Sequence, residues 1–289
     1  MRTVMPRTRA LVLALAATAV LAAAGGAAAD TVTREIDRTF RLEPGGEVVL
    51  ENVNGVIEVE AWDRDRVELH IVKKTKAGDR ARAEEAMEAF EIDIDSTPQR
   101  LSVVVRRFRH DGESFFDWLR GWSVQHSASF HLKVPRQVRL TADTVNGHVQ
   151  VAGVEGEMDV ESVNGRVQLR GVGGRVDVST VNGSVDVAEA RGSVSASTVN
   201  GRIEVEISQV ADDADMRFST TNGGVSLALP RDVQARLDAR STNGGISCDF
   251  PVEVHGKYNS KSISADLNGG GPGLLKIRTT NGGIRIHEI

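Results

Sequence analysis

Short stretches in which apolar and polar residues alternate fill the second half of the chain. In residues 166–169 (RVQL) and 175–178 (RVDV), every second side chain is apolar. Alternation over a few residues, bounded by glycine-containing turns, is typical of β-strands with one buried and one exposed face. The pattern therefore predicts a mainly β protein.

Asn-Gly pairs separate these strands at a regular spacing. From Asn146 to Asn200 the pairs recur every 18 residues, and beyond Asn200 the spacing lengthens to 22 and then 21 residues. Apolar columns such as Val149, Val167 and Val185 keep the same period. A fixed period indicates stacked units, because one such unit cannot bury its apolar face alone. The predicted structural turns are Asn146-Gly147, Asn164-Gly165, Asn182-Gly183, Asn200-Gly201, Asn222-Gly223, Asn243-Gly244 and Asn281-Gly282.

Two geometries fit this repeat. In a β-solenoid (β-helix-like) fold, short rungs with Asn-Gly corners stack about 4.8 Å apart, and asparagine amides bond along the stack. In an antiparallel β-meander, each Asn-Gly pair instead forms a hairpin turn. Threonine or serine recurs two residues before each of these asparagines at whole-repeat spacing. This recurrence favours the solenoid, which we assign to residues 138–289.

Residues 30–137 have a mixed pattern, which predicts an N-terminal α+β cap on the open end of the solenoid. Residues 47–60 resemble one further rung, and other alternating stretches predict additional strands. Asp79 is suited to the N-cap of a helix, because the apolar residues after it follow helical spacing. The apolar positions of this helix are Ala83, Ala86, Met87 and Phe90.

A basic aromatic segment interrupts this N-terminal part. Residues 100–139 contain eight Arg or Lys and three acidic residues, and six of the twelve aromatic residues of the chain lie between Phe108 and Phe130. Arginines beside exposed aromatic rings suit a membrane surface, an anionic glycan or a protein partner. The alternative is that the aromatic side chains fold down and plug the rod. The candidate contact residues are Arg107, Arg109, Phe115, Phe116, Trp118, Arg120 and Trp122.

The first 29 residues have the features of a secretory signal peptide. Three arginines precede an apolar stretch, and Ala27-Ala28-Ala29 provides a small-residue cleavage site. Without these three arginines the chain has 35 − 3 = 32 basic and 40 acidic residues, a net charge of −8. We therefore expect an exported protein, periplasmic or on the cell surface, that does not bind nucleic acid.

Candidate chemistry is sparse. Stacked rungs would place Asp159 and Asp177 about 5 Å apart, near the separation of a retaining glycosidase pair, although outward carboxylates are frequent in this repeat. The seven histidines do not cluster in the sequence, and His126 and His131 fall on opposite faces of one predicted strand. We expect no metal, no cofactor and no catalytic residue.

The order of these motifs resembles the putative-adhesin family of β-strand-repeat proteins, domain of unknown function 4097. The matching features are residues 51–59 (ENVNGVIEV), Trp62-Asp63, Val134-Pro135 and the serial Thr-Val-Asn-Gly and Thr-Thr-Asn-Gly-Gly rungs. The resemblance covers essentially the whole chain after residue 29. It implies a β-helical protein of the cell envelope or surface, sometimes associated with envelope stress, and it supplies no catalytic residues.

These features favour a non-enzymatic, adhesin-like binding or scaffold protein of the cell envelope, whose partner is an envelope protein, a glycan or a membrane surface. The alternative is a carbohydrate-active β-solenoid enzyme that uses Asp159 and Asp177. Because the chain stops at Ile289 directly after a predicted strand, we also expect self-association through the C-terminal edge.

Overall fold

The computed structural model describes residues 30–106, 124–211, 213–254 and 261–289. The predicted signal peptide and the basic aromatic segment from Arg107 to Trp122 lie outside the described residues. The described part is mainly β, as predicted, with 22 strands and one α-helix. No helix in this part is long and apolar enough to cross a membrane.

The strands form two faces. In the repeat units, face 1 holds the strand that leads into each Asn-Gly turn, and face 2 holds the strand that follows it. Strand β13 runs from one face to the other, and its hydrogen bonds join both faces into one 22-stranded sheet. In spatial order, face 1 contains β5 (Ile92–Thr97), β6 (Arg100–Val105), β2 (Gly46–Glu51), β8 (Val138–Asn146), β10 (Glu155–Asn164), β12 (Gly173–Asn182), the second half of β13 (Val185–Asn200), β15 (Met216–Asn222), β21 (Leu274–Asn281), β17 (Ala235–Ser241), β20 (Ser262–Leu267) and β19 (Val252–Val254). Face 2 contains β1 (Asp30–Arg41), β4 (Arg66–Ala77), β7 (Gln125–Pro135), β3 (Ile57–Trp62), β9 (Val149–Ala152), β11 (Val167–Arg170), the first half of β13, β14 (Ile203–Val210), β16 (Val225–Leu229), β22 (Ile284–Glu288) and β18 (Ile246–Cys248).

Equivalent strands of successive units pair in parallel. Met158 of β10 is in register with Leu140 of β8 on one side and with Val176 of β12 on the other. On face 2, β9 pairs with β3 and β11 and not with β8, the strand before its own turn. The antiparallel meander is therefore wrong for these units. Parallel stacking brings equivalent apolar and asparagine side chains together, which hairpins would not do.

The inward side chains of both faces form one core. Leu140 and Ala142 of β8 and Val149 and Val151 of β9 are at most 2% exposed and belong to the same hydrophobic cluster. Small and β-branched side chains suit this narrow space between two layers of short strands. Most outward positions on both faces are polar, so each face presents many charged and amide groups.

At the N-terminal end, β2 and β3 pair directly with β8 and β9, so the strands around Asn54 form one more stacked unit. Beyond them, β4 and β5 run antiparallel to their neighbours and β1 is the outermost strand of face 2. The helix predicted after Asp79 is present as α1 (Arg80–Ala89) and packs against β4 and β1. The Asp79 side chain accepts a hydrogen bond from the Arg82 backbone N–H at 2.9 Å, and Ala83 and Met87 are buried.

The end of the chain lies inside the stack. Strand β21 pairs with both β15 and β17, and β22 pairs with both β16 and β18. The expected free edge at the final strand is therefore wrong. The last unit buries Ile284 and Ile286 to 2% and 0% exposure, whereas Ile246 of β18 is only partly buried. Burial explains the order, because the more apolar unit takes the interior position.

Candidate functional site

The asparagines of the Asn-Gly turns form a ladder along one edge of the stack. Seven successive pairs are joined by a hydrogen bond of 2.8–2.9 Å in which one side-chain Nδ2 donates to the next Oδ1. The order is Asn54, Asn146, Asn164, Asn182, Asn200, Asn222, Asn281 and Asn243. Each amide is thus used inside the ladder, which gives these turns an architectural role.

The glycines of these turns allow the units to approach one another closely. A Cβ at Gly165 would lie 1.8 Å from the Gly147 carbonyl oxygen, and one at Gly183 would lie 1.8 Å from that of Gly165. The Thr180 hydroxyl donates to the Gly165 carbonyl at 3.3 Å and ties the strand to the neighbouring turn. The remaining turn residues at Gly201, Gly223, Gly244 and Gly282 have the same close contacts.

A long groove covers the outer side of face 2. It crosses ten strands from β1 to β22, roughly 43 Å at about 4.8 Å per strand, and its volume is about 1280 Å³. One row of side chains in strand register runs along it. From the N-terminal end of the stack, this row is Asp37, His70, His131, Glu58, Gln150, Gln168, Asp186, Glu204, Ser226 and Arg285.

Charged side chains, seven acidic and four basic, line the groove together with apolar strand residues. A second row beside the first includes Glu60, Lys133 and Arg170, with the small residues Ala152 and Ala188 between charged positions. No Phe, Tyr or Trp of the described residues lines it. Its walls therefore offer hydrogen bonds and charge complementarity over a long path.

Two histidines meet at the N-terminal end of the groove. His70 and His131 are directly paired on antiparallel β4 and β7, and their ring centroids are 5.8 Å apart. The Nδ1 of His70 lies 2.8 Å from a carboxylate oxygen of Asp37, and the Nδ1 of His131 lies 2.7 Å from one of Glu58. Each imidazole thus has its own carboxylate on the neighbouring strand.

Sequence reasoning missed this cluster and treated all seven histidines as separate. Alternation alone places His70 and His131 on outward faces, but they are 61 positions apart, and only the pairing of β4 with β7 makes them neighbours. His126, which we expected on the face opposite His131, is not part of this cluster. It lies near Thr75, with its Nδ1 3.2 Å from the threonine Oγ1. Burial lowers the pKa of His126, and nearby Lys73 adds to this effect.

The predicted acidic pair lies on the outer side of face 1. Asp159 and Asp177 are adjacent in the parallel register of β10 and β12. Burial raises the pKa of Asp159, and the charges of Asp177 and Glu157 add to the shift. Arg175 Nε donates to the Asp177 carboxylate at 3.0 Å, so this carboxylate is held in an ion pair. The pair is outside the groove.

A second acidic residue of face 1 is strongly shifted. Burial, followed by the charges of Glu161, Asp159 and Glu51, raises the pKa of Asp143 to about 6. Within the residues that the structure describes, no group of three or more His, Cys, Asp or Glu side chains is arranged to hold a metal ion. Glu51, Asp143 and Glu161 are direct partners in strand register, so face 1 carries a column of three carboxylates that repel one another.

The family model described as Toastrack DUF4097 matches residues 123–287, more than half of the 289-residue chain. The chain belongs to this family. The resemblance inferred from the Asn-Gly rungs is thereby confirmed. No curated protein matches the sequence.

Several solved structures are similar to this family member. A putative adhesin from Bacteroides fragilis is 12% identical, with 88% of this chain and 97% of that chain covered and a TM-score of 0.40. A putative cell adhesion protein from Clostridium sporogenes is 10% identical, with coverages of 88% and 100% and a TM-score of 0.37. A putative lipid binding protein from Parabacteroides distasonis is 12% identical, with coverages of 89% and 96% and a TM-score of 0.32.

Proposed function

We propose that this chain is an exported, non-enzymatic binding protein of the cell envelope, periplasmic or on the cell surface, and that the groove on face 2 is its binding surface. The groove itself carries the proposal, because it runs uninterrupted across ten strands. The signal-like first 29 residues support export. A role in adhesion or envelope stress would be one use of such a surface.

The architecture that we infer is a β-solenoid with an N-terminal cap. Parallel pairing of equivalent strands, the asparagine ladder and the single shared core support the solenoid. The antiparallel strands β4 and β5 and helix α1 support the cap. In such a fold the ligand-binding surface is a long regular face, because each unit contributes the same few outward positions.

We propose an extended glycan as the ligand. The groove is longer and larger than a pocket for a small molecule, which is about 300–1000 Å³. Gln150, Gln168, Asp186 and Glu204 follow one another on adjacent strands, so amide or carboxylate groups recur about every 4.8 Å. Amides donate to and accept from hydroxyls and carboxylates accept from them, so these groups suit the successive hydroxyls of a sugar chain.

A groove-blocking substitution tests this proposal. Ala188 faces the groove, and Ala188→Trp should fill it; Ser197→Trp places the same side chain on the outer side of face 1 as a control. On a glycan array, the purified chain and the Ser197→Trp variant should retain the same glycans, and Ala188→Trp should lose at least about tenfold in apparent affinity, or 1.4 kcal/mol. Equal retention by both variants would show that the groove is not the binding surface.

The basic aromatic segment is a second proposed contact, based on its sequence. Its arginines and aromatic side chains suit an envelope membrane or an anionic partner. A double variant that combines Trp118→Ala with Trp122→Ala should co-sediment less with envelope membranes than the unmodified chain, and its thermal unfolding should be unchanged. Unchanged co-sedimentation would refute this contact while leaving the groove proposal intact.

The alternative is a carbohydrate-active enzyme that uses Asp159 and Asp177. The raised pKa of Asp159 fits a general acid, but Asp177 is paired with Arg175 and both lie on the opposite face from the groove. A reducing-sugar assay on the glycans that bind separates the two functions. Release of sugar that is abolished by Asp177→Asn would favour the enzyme.

A further inference from the structure

We propose that His70 and His131 form a binding site for one divalent transition-metal ion at the N-terminal end of the groove. The site is independent of the glycan proposal. Its two protein ligands are the Nε2 atoms of the paired imidazoles, with Asp37 and Glu58 as positioning residues. Zn²⁺, Cu²⁺ and Ni²⁺ are the ions that imidazole ligands prefer, in contrast to Ca²⁺ and Mg²⁺, which prefer oxygen.

The first argument is the hydrogen bonding of the two rings. In both, Nδ1 lies within 2.8 Å of a carboxylate oxygen. A carboxylate at this position stabilises the tautomer with the proton on Nδ1, so the lone pair of Nε2 is available to a metal ion. Metal-binding histidines almost always have such a carboxylate, carbonyl or water behind them. Here two adjacent histidines have one each.

The second argument is the distance between the rings. Two imidazoles bound to one tetrahedral ion at a metal–nitrogen distance of about 2.1 Å have ring centroids roughly 5 Å apart. The observed separation is 5.8 Å, with the ring planes inclined by 37°. The change required is less than 1 Å, which small side-chain rotations supply. The rings are on directly opposed residues of neighbouring strands, so the backbone already holds them together.

The third argument is access. The His70 and His131 side chains are each 39% exposed, and both line the groove. Among the described residues, no hydrogen bond involves either Nε2. With two protein ligands, the remaining coordination positions are open to water or to a donor group of a groove ligand. This distinguishes the site from a closed cage of three or more protein ligands.

The position of the site also gives it a structural consequence. The row Asp37, His70, His131 and Glu58 crosses four neighbouring strands, β1, β4, β7 and β3. An ion bound by both imidazoles would connect β4 to β7 through side chains as well as through the backbone. Because the ion binds only the folded pairing, it should stabilise the folded chain by an amount that rises with the logarithm of the ion concentration divided by its Kd.

The test is metal titration of the tag-free chain with ZnSO₄ or CuSO₄, followed by calorimetry. We expect one ion per chain, tighter for Cu²⁺ than for Zn²⁺. His70→Gln and His131→Gln should each lower the affinity at least about tenfold, because the glutamine amide can still donate to the carboxylate but offers no imidazole nitrogen to the ion. His148→Ala is the matched control, since His148 is another exposed histidine near face 2 whose Nδ1 accepts a hydrogen bond from the Arg166 backbone N–H.

Spectroscopy distinguishes ligation from a structural effect. In Cu²⁺ electron paramagnetic resonance, the wild-type spectrum should show coupling to two imidazole nitrogens, and either glutamine variant should show only one. Asp37→Asn should weaken binding about 10-fold to 100-fold without changing the metal-free melting temperature. Absence of binding to the wild type, or equal binding and an unchanged spectrum in both glutamine variants, would overturn the proposal.

Discussion

Gly165 and Gly171 lie in the same repeat unit but are required for different physical reasons. Gly171 has a φ of +60°, with open space around a Cβ, so only its backbone conformation favours glycine. At Gly165, an added Cβ would lie 1.8 Å from a backbone oxygen of the preceding unit. Eighteen residues after Gly171, Glu189 occupies the left-handed region with a φ of 56°. The fold therefore accepts a side chain at the position of Gly171 but has no room for one at Gly165.

We predict that Gly165→Ala costs much more stability than Gly171→Ala. At Gly171 the strain of a left-handed alanine is about 1–2 kcal/mol. At Gly165 the two turns must move apart and the hydrogen bonds of Asn164 to its neighbours must lengthen, which we expect to cost about 3 kcal/mol or more. Urea unfolding of the two variants measures the difference. Equal losses would mean that the close approach of the turns does not limit the stack.

At the scale of elements, the side-chain period determines most of what sequence alone could predict. The 18-residue columns correctly place Asp159 beside Asp177, since a fixed period and a parallel ladder specify the same neighbours. Helix α1 follows from the spacing of Ala83 and Met87 and from the cap at Asp79. The His70 and His131 pair could not be predicted, because β4 and β7 lie outside the period and nothing local specifies their pairing.

The column of carboxylates on face 1 leads to a prediction about pH. The pKa of Asp143 in the folded state, about 6, is above the ordinary aspartate value of 3.8, so the charged form is disfavoured in the folded state. Stability from this group is therefore complete below the unfolded pKa, is lost as pH rises from about 4 to about 6, and stays lost at neutral pH. Cross-strand repulsion from neighbouring carboxylates is part of the cause.

Asp143→Asn should consequently stabilise the protein at pH 7. We expect about 1 kcal/mol, less than the full shift implies, because the carboxyl is partly exposed and solvent screens it. At pH 3.5 the wild type and the variant should have nearly equal unfolding free energies. Urea titrations at both pH values provide the measurement and its internal control. A gain of the same size at both pH values would point to a cause other than the charge.

For the whole molecule, the order of units in space differs from their order in the chain. The local alternation of apolar and polar residues identified each unit, including the last. The sequence contains no period, however, that specifies between which units the final unit inserts. The spacing is irregular after Asn222, and β17, β18, β19 and β20 lie beyond β21 and β22 in the stack although they precede them in the chain. In the interior of the stack, Leu275 and Ile277 of the final unit pair with Met216 and Phe218.

Ile284 and Ile246 provide a matched test of this order, because they are direct partners in the β18–β22 ladder. Ile284 is 2% exposed between two strands, whereas Ile246 lies on the outermost strand and is only partly buried. Ile284→Ala should cost about 3 kcal/mol through lost burial and a cavity, and Ile246→Ala about 1 kcal/mol. If the units instead stacked in chain order, β22 would be the outer strand and β18 an inner one. The two substitutions would then have the opposite ranking in urea unfolding, and the same pair of variants would show it.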